Sequence, residues 1–136
     1  MGVEMSVVYQ GEKHCELTHG PSGSLIETDA PRDNAGRGER FSPTDLVGAA
    51  LASCVLTTMA ILGERNGLDL RGMKARVLKE MIPNPRKIAR LPVDVDMPAG
   101  LAPEDRKKLE AAAHTCPVHR SLASDVDAPI TFNYPD

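Results

Sequence analysis

The chain has 136 residues, with 16 basic against 19 acidic side chains and a net charge of -3. That length suits one domain with a modest core, spanning 1–136, and the absence of a basic patch or arginine-rich arm argues against nucleic acid as a partner. With no Trp, two Tyr and two Phe, aliphatic and small residues must do the packing. The start, Met1-Gly-Val-Glu-Met5, lacks a basic segment and an apolar run, so no cleavable signal is expected. Three cysteines do not form a secreted disulfide framework, and the expected setting is the reducing cytoplasm.

In chain order, three short strand patterns come first, roughly Met5–Gln10, His14–Thr18 and Ser24–Thr28, separated by Gly11 and by Gly20-Pro-Ser-Gly23. A polar, turn-rich loop follows from Asp29 to Arg40. Next is a long apolar helix from Ser42 to a stop at Gly67. Ser42 can cap it, Pro43 suits the first helical position, and Asp45 stands where a capping-box acid reaches back. Between Asp45 and Glu64 there is no charge. A helix apolar on every side is expected to be buried on every side, Cys54 with it unless a cleft opens there.

After the helix, Met73–Ile82 alternates in part and ends at Pro83-Asn-Pro85. Lys87–Met97 reads as its hairpin partner, with Leu91, Val93, Val95 and Met97 on one face and Pro92 demanding an edge or a bulge. A charged helix near Pro103–Thr115, a short helix Val118–Leu122 and a last strand Pro129–Tyr134 complete the order βββ-α-ββ-α-α-β. This is an α+β pattern, with strands in hairpins rather than βαβ units. At 1.5 Å per residue the long helix spans about 36 Å, beyond the ~26 Å diameter of such a domain. A six-stranded sheet would cover one side only. A second copy of the helix, close-packed on Gly48, Ala49, Ala52 and Ser53, covers the rest, and a homodimer is expected. The uncharged run from Leu46 to Gly63 approaches membrane-spanning length. Its Ala, Gly, Ser and Thr content and missing aromatic and basic flanks favour a buried helix over a membrane span.

Two cysteines stand out. Cys54 lies mid-helix. Cys116 closes the charged helix just before Pro117, which drives the preceding residue out of helical geometry and can itself open the next helix. Unpaired amides at that junction favour a thiolate, and the two thiols suggest a redox pair. The competing reading is that both merely pack, as cysteines often do. A third reading takes His114, Cys116 and His119, an H-x-C-x-x-H pattern, with Cys54 as a fourth zinc ligand. Cys15, beside His14 in a strand pattern, reads as structural; His114 reads as a helix-end residue and His119 as a surface or supporting group.

The segments Ser42-Pro-Thr-Asp-Leu-Val-Gly-Ala-Ala-Leu-Ala-Ser-Cys54 and Ala-His-Thr-Cys116-Pro-Val-His-Arg-Ser-Leu122 together resemble the OsmC/Ohr family of thiol peroxidases, with its x-P-x-[ED]-L-x-x-A-x-x-x-C helix and second C-P-[VI] motif. The resemblance covers most of the chain in the same element order. It implies an OsmC-like fold, an antiparallel sheet packed on a long central helix, in an intertwined homodimer with sites at the subunit interface. It further implies reduction of organic hydroperoxides, with Cys54 as peroxidatic and Cys116 as resolving cysteine, a Cys54–Cys116 disulfide, an external dithiol reductant and no cofactor. The family glutamate ten residues before the first cysteine is Thr44 here, leaving Asp45 as the adjacent acid. No arginine precedes Arg32, so Arg32, Arg37 and Arg40 are the candidates for the family's activating arginine, chiefly the glycine-flanked Arg37 and Arg40 near the helix start. The chain reads as a divergent branch.

Overall fold

A computed structural model describes residues 1–135. The order is β1 (Met5–Tyr9), β2 (His14–His19), β3 (Leu25–Asp29), a single 3-10 turn (Arg32–Asn34), α1 (Pro43–Arg65), β4 (Lys74–Val77), β5 (Glu80–Pro83), β6 (Arg86–Arg90), β7 (Val93–Asp96), α2 (Pro103–Ala113), α3 (Pro117–Ser121) and β8 (Ile130–Asn133). The architecture is α+β. It resolves into two compact units, Met1–Leu46 and the chain from Val47 onward.

The first unit is an antiparallel meander, β1-β2-β3. Val7 pairs with Leu17 and Leu17 with Ile26, while His14 pairs with Asp29 and Glu16 with Glu27. Side chains alternate along each strand, so Met5, Val7, Tyr9, Leu17 and Ile26 share one apolar face and His14, Glu16, Glu27 and Asp29 the other. Met5 and Tyr9 remain 65 % exposed, with Val7 and Ile26 more than half exposed. The loop after β3 doubles back: the Gly36 amide donates to the Pro31 carbonyl (3.0 Å) and the Asp29 amide to Phe41 (3.2 Å). A Cβ at Gly36 would lie 1.8 Å from the Ala30 carbonyl oxygen, so only glycine permits that approach. The loop delivers Ser42 to the start of α1. There the Ser42 amide donates to Asp45 Oδ2 (2.9 Å) and the Asp45 amide to Ser42 Oγ (3.1 Å), the reciprocal capping box that the sequence predicts.

In the second unit, α1 buries Gly48, Leu51, Ala52, Val55, Met59 and Gly63, a stripe at three- and four-residue spacing. It packs in one cluster with Leu91, Val93, Val95, Met97, Leu109, Ala113 and Cys116. The stripe leaves Ala50, Ser53, Thr57, Ala60 and Ile61 exposed, so the expected burial on every side is not met within one chain, and Cys54 is half-buried. By length and composition α1 could cross a membrane, yet its stripe is the core of this unit. β7 is the central strand, antiparallel to β4 and parallel to β8.

The strands form sheets of three, three and two, not one six-stranded sheet. The two long strands predicted at Met73–Ile82 and Lys87–Met97 are each broken. Pro92 has no N–H for the ladder, and only its carbonyl serves, accepting from the Leu78 amide at 3.1 Å. β5 and β6 continue beyond that break as a separate hairpin. The four-residue face survives the break: Leu91, Val93, Val95 and Met97 are all buried.

Candidate active site

Cys54 lies one helical turn from the exposed Ala50 on one side and from Thr58 on the other, and its Sγ is 3.9 Å from Thr58 Oγ1. Cys116 is fully buried. It caps α3 with φ -53° and ψ 127°, the extended conformation that Pro117 imposes on its predecessor. α2 having ended at Ala113, this junction turns the chain so that the Cys116 thiol meets Cys54. Cys116, the Val118 amide and Thr58 all act to lower the Cys54 pKa, while the first turn of α3 makes no side-chain cap bond to Cys116.

The two thiols are driven apart in acidity. Burial alone would raise Cys54, but the hydrogen bonds from Cys116, the Val118 amide and Thr58 together outweigh it and hold the thiol below its ordinary value. Burial raises Cys116, reinforced by its bond to Cys54, and the His119 and Val118 amides only partly offset this. A hydrogen bond to the charged form favours that form. Cys54 is thus the sulfur that ionises first and Cys116 the one that keeps its proton and donates it.

The other predicted residues are placed differently. Arg37 pairs with Glu12 (3.2 Å) and reaches Asp29 (3.6 Å) and Glu39 (3.9 Å), and Arg40 pairs with Glu27 (3.4 Å). Arg32 Nε donates to the Arg37 carbonyl at 3.2 Å. Both candidate activating guanidiniums are therefore held by carboxylates of the first unit, while Cys54 takes its hydrogen bonds from Cys116, Val118 and Thr58. The Asp45 carboxylate accepts from the cap amide. For the zinc reading, no cluster of three or more His, Cys, Asp and Glu with metal-binding placement occurs among the described residues. His119 Nε2 is instead bonded to the Ala128 carbonyl at 3.2 Å.

The neighbours of Cys54 along α1 do not form a pocket over it. Leu51 and Val55 face the core and are fully buried, and Thr57 is exposed. An open groove of about 370 Å³ lies instead between α1 and α3, lined by Val47, Ala50, Pro117, Val118, Ser121 and Leu122. Val47 and Ala50 precede Cys54 by seven and four residues on the same helix face, and Val118 contributes both to the groove and to the sulfur. The sequence places unpaired amides at this junction, where they are expected to favour a thiolate at Cys116; burial instead raises Cys116, and Cys54 is the lowered thiol. Only the groove had no signal beyond the Pro117 break.

A helix-borne thiol interacting with a second, buried thiol at a helix junction, within an α+β chain, defines a dithiol protein with one acidified cysteine. A family model described as OsmC-like protein matches residues 36–130, and the chain belongs to that family. No curated protein matches it. A protein of Psychrobacter arcticus named for osmotic stress induction and detoxification response is 36 % identical, with a TM-score of 0.91 over 95 % of this chain and 94 % of that one. An organic hydroperoxide resistance protein OsmC of Legionella pneumophila is 20 % identical with a TM-score of 0.70 over 98 % and 97 %. One named for organic hydroperoxide resistance from Elizabethkingia anophelis is 15 % identical with a TM-score of 0.74 over 98 % and 96 %; these last two share the fold.

Proposed function

We propose that the protein is a cysteine-based, thiol-dependent peroxidase that reduces organic hydroperoxides in the cytoplasm. The observation that carries this reading is the interaction of the α1 thiol Cys54 with the buried Cys116, which opposes their pKa shifts, Cys54 lowered and Cys116 raised. Family membership and the names of relatives lend support. The Cys54 thiolate attacks the terminal hydroperoxide oxygen. An S–O bond forms and the O–O bond breaks; the alkoxide takes a proton and leaves as the alcohol, and Cys54 becomes a sulfenic acid, oxidised by two electrons. The Cys116 sulfur then attacks the Cys54 sulfur; its proton leaves with the hydroxyl as water, and a Cys54–Cys116 disulfide remains. An external dithiol reduces that bond by exchange. The apolar groove beside Cys54 suits the organic part of the substrate, so cumene hydroperoxide should be consumed faster than hydrogen peroxide.

The test separates the cysteines. Cys54→Ser should abolish peroxide consumption. Cys116→Ser should react once and leave a sulfenic acid that a dimedone-type probe traps. Full activity in Cys54→Ser, or oxidised wild type without a Cys54–Cys116 disulfide on peptide mapping, would overturn the reading.

A further inference from the structure

His119 is a half-buried side chain that the proposed reaction leaves unused, and it follows Val118, which lines the groove between α1 and α3 and whose amide acts to lower the Cys54 pKa. The segment after α3 returns along the sheet: the Leu91 amide donates to the Asp127 carbonyl (2.8 Å) and the Val93 amide to Pro129 (2.9 Å). Successive carbonyls along an extended strand point to opposite sides. Those of Asp127 and Pro129 bond into the sheet, so the Ala128 carbonyl between them points outward from it. His119 Nε2 meets that oxygen at 3.2 Å. A carbonyl can only accept, so Nε2 carries the proton. The bond joins the middle of α3 to the strand approaching β8, while the Arg120 amide, donating to the Cys116 carbonyl at 3.1 Å, closes the turn at its start. His114 packs edge-on against the same ring, centroids 6.5 Å apart.

We propose that His119 is a positioning residue, whose Nε2–H bond to Ala128 holds α3 against the returning strand and so keeps Val118 in place beside α1 and Cys54. The side chain touches no reacting atom. It acts through the backbone, by preventing α3 from rotating away from α1. A hydrogen bond to a sulfur anion depends steeply on direction, so a small swing of α3 weakens what the Val118 amide offers Cys54 while the core beneath keeps its packing. The inference rests on Cys54 being the reactive thiol, but its readout is the thiolate and not peroxide turnover.

The experiment measures the iodoacetamide alkylation rate of Cys54 against pH, in a Cys15→Ser background with reduced protein. His119→Phe keeps a ring of similar size and removes the donor. It should raise the apparent Cys54 pKa by roughly half to one unit, a three- to tenfold loss of thiolate at neutral pH. His119→Gln, which can place an N–H near the Nε2 position, should restore the wild-type profile. An unshifted profile in His119→Phe, or an equal shift in both variants, would overturn the proposal. Should His119→Phe fail to fold, nitrogen-proton NMR of the wild-type imidazole decides: the Nε2–H tautomer supports the bond, and the Nδ1–H tautomer overturns it. Retained peroxide consumption in Cys54→Ser would remove the peroxidase reading and leave this result standing.

Discussion

Cys116 acts to lower the Cys54 pKa while Cys54 acts to raise that of Cys116, and this opposition sets their division of labour. Because Cys116 donates, removing its proton-bearing group should cost Cys54 part of its acidity. In a Cys15→Ser background, Cys116→Ala should move the Cys54 alkylation profile to higher pH, by about one unit for one lost charge-assisted bond. Cys116→Ser, which retains an O–H donor, should move it less. Equal profiles for all three proteins would show that the thiol contact does not acidify Cys54. The positions of the two cysteines were legible in the sequence because each depends on local signals, the apolar helix for one and the Cys-Pro break for the other. The aim of the Val118 amide was not, because it depends on how α3 lies against α1, which no local pattern encodes. Asp45 showed two meanings at once, acid and cap, and in the structure its carboxylate closes the capping box. The arginine partners were hidden for another reason: Arg37 and Arg40 pair with carboxylates that lie near them only through the register of β2 and β3.

That register also builds a cluster of one histidine and two carboxylates on the meander. His14 Nδ1 lies 2.6 Å from Asp29 Oδ1 and its Nε2 3.0 Å from Glu27 Oε1, with Asp29 only 1 % exposed. The Asp29 bond, then the Glu27 bond, raise the His14 pKa against the effect of burial. The same His14 bond leads in lowering both carboxylates. The raised histidine contributes stability that is complete below its unfolded value of ~6.5 and fades as pH rises through the higher folded value. The carboxylates contribute above their unfolded values and lose this as pH falls through their lowered ones. The meander should therefore be most stable in mildly acidic solution. In thermal melts, His14→Gln should lower Tm clearly near pH 6 and progressively less above pH 8; a pH-independent difference would show that the charge of His14 is not the cause. Most of the fold around this element was readable from alternation and turn residues. The strand breaks at Leu78–Lys79 and Leu91–Pro92 and the parallel pairing of β8 were not. Alternation continues in phase across Pro92, and strand direction is decided by where a distant segment returns.

Across the whole chain, two separate surfaces carry apolar groups that a soluble monomer would not gain by exposing. On the meander, Met5, Val7, Tyr9 and Ile26 form one exposed face; on α1, Ala50, Ala60 and Ile61 line an exposed side with Ser53 and Thr57. Scattered apolar residues at a surface are ordinary, but contiguous ones mark contacts. Of the small residues expected at a helix contact, Gly48 and Ala52 are buried in the chain's own core, while Ala50, Ser53, Thr57 and Ala60 remain exposed for a second helix to approach. The expected state is a homodimer. Sedimentation equilibrium at micromolar concentration should give twice the 14.6 kDa chain mass. Ile61→Arg and Val7→Arg test the two surfaces separately. A charge buried without a partner at an interface costs several kcal/mol, enough to shift a micromolar sample toward monomer. If only Ile61→Arg dissociates the pair, the helix face carries the contact; if only Val7→Arg does, the meander carries it. A folded wild-type monomer, unchanged by either substitution, would mean that neither exposed surface joins a second copy.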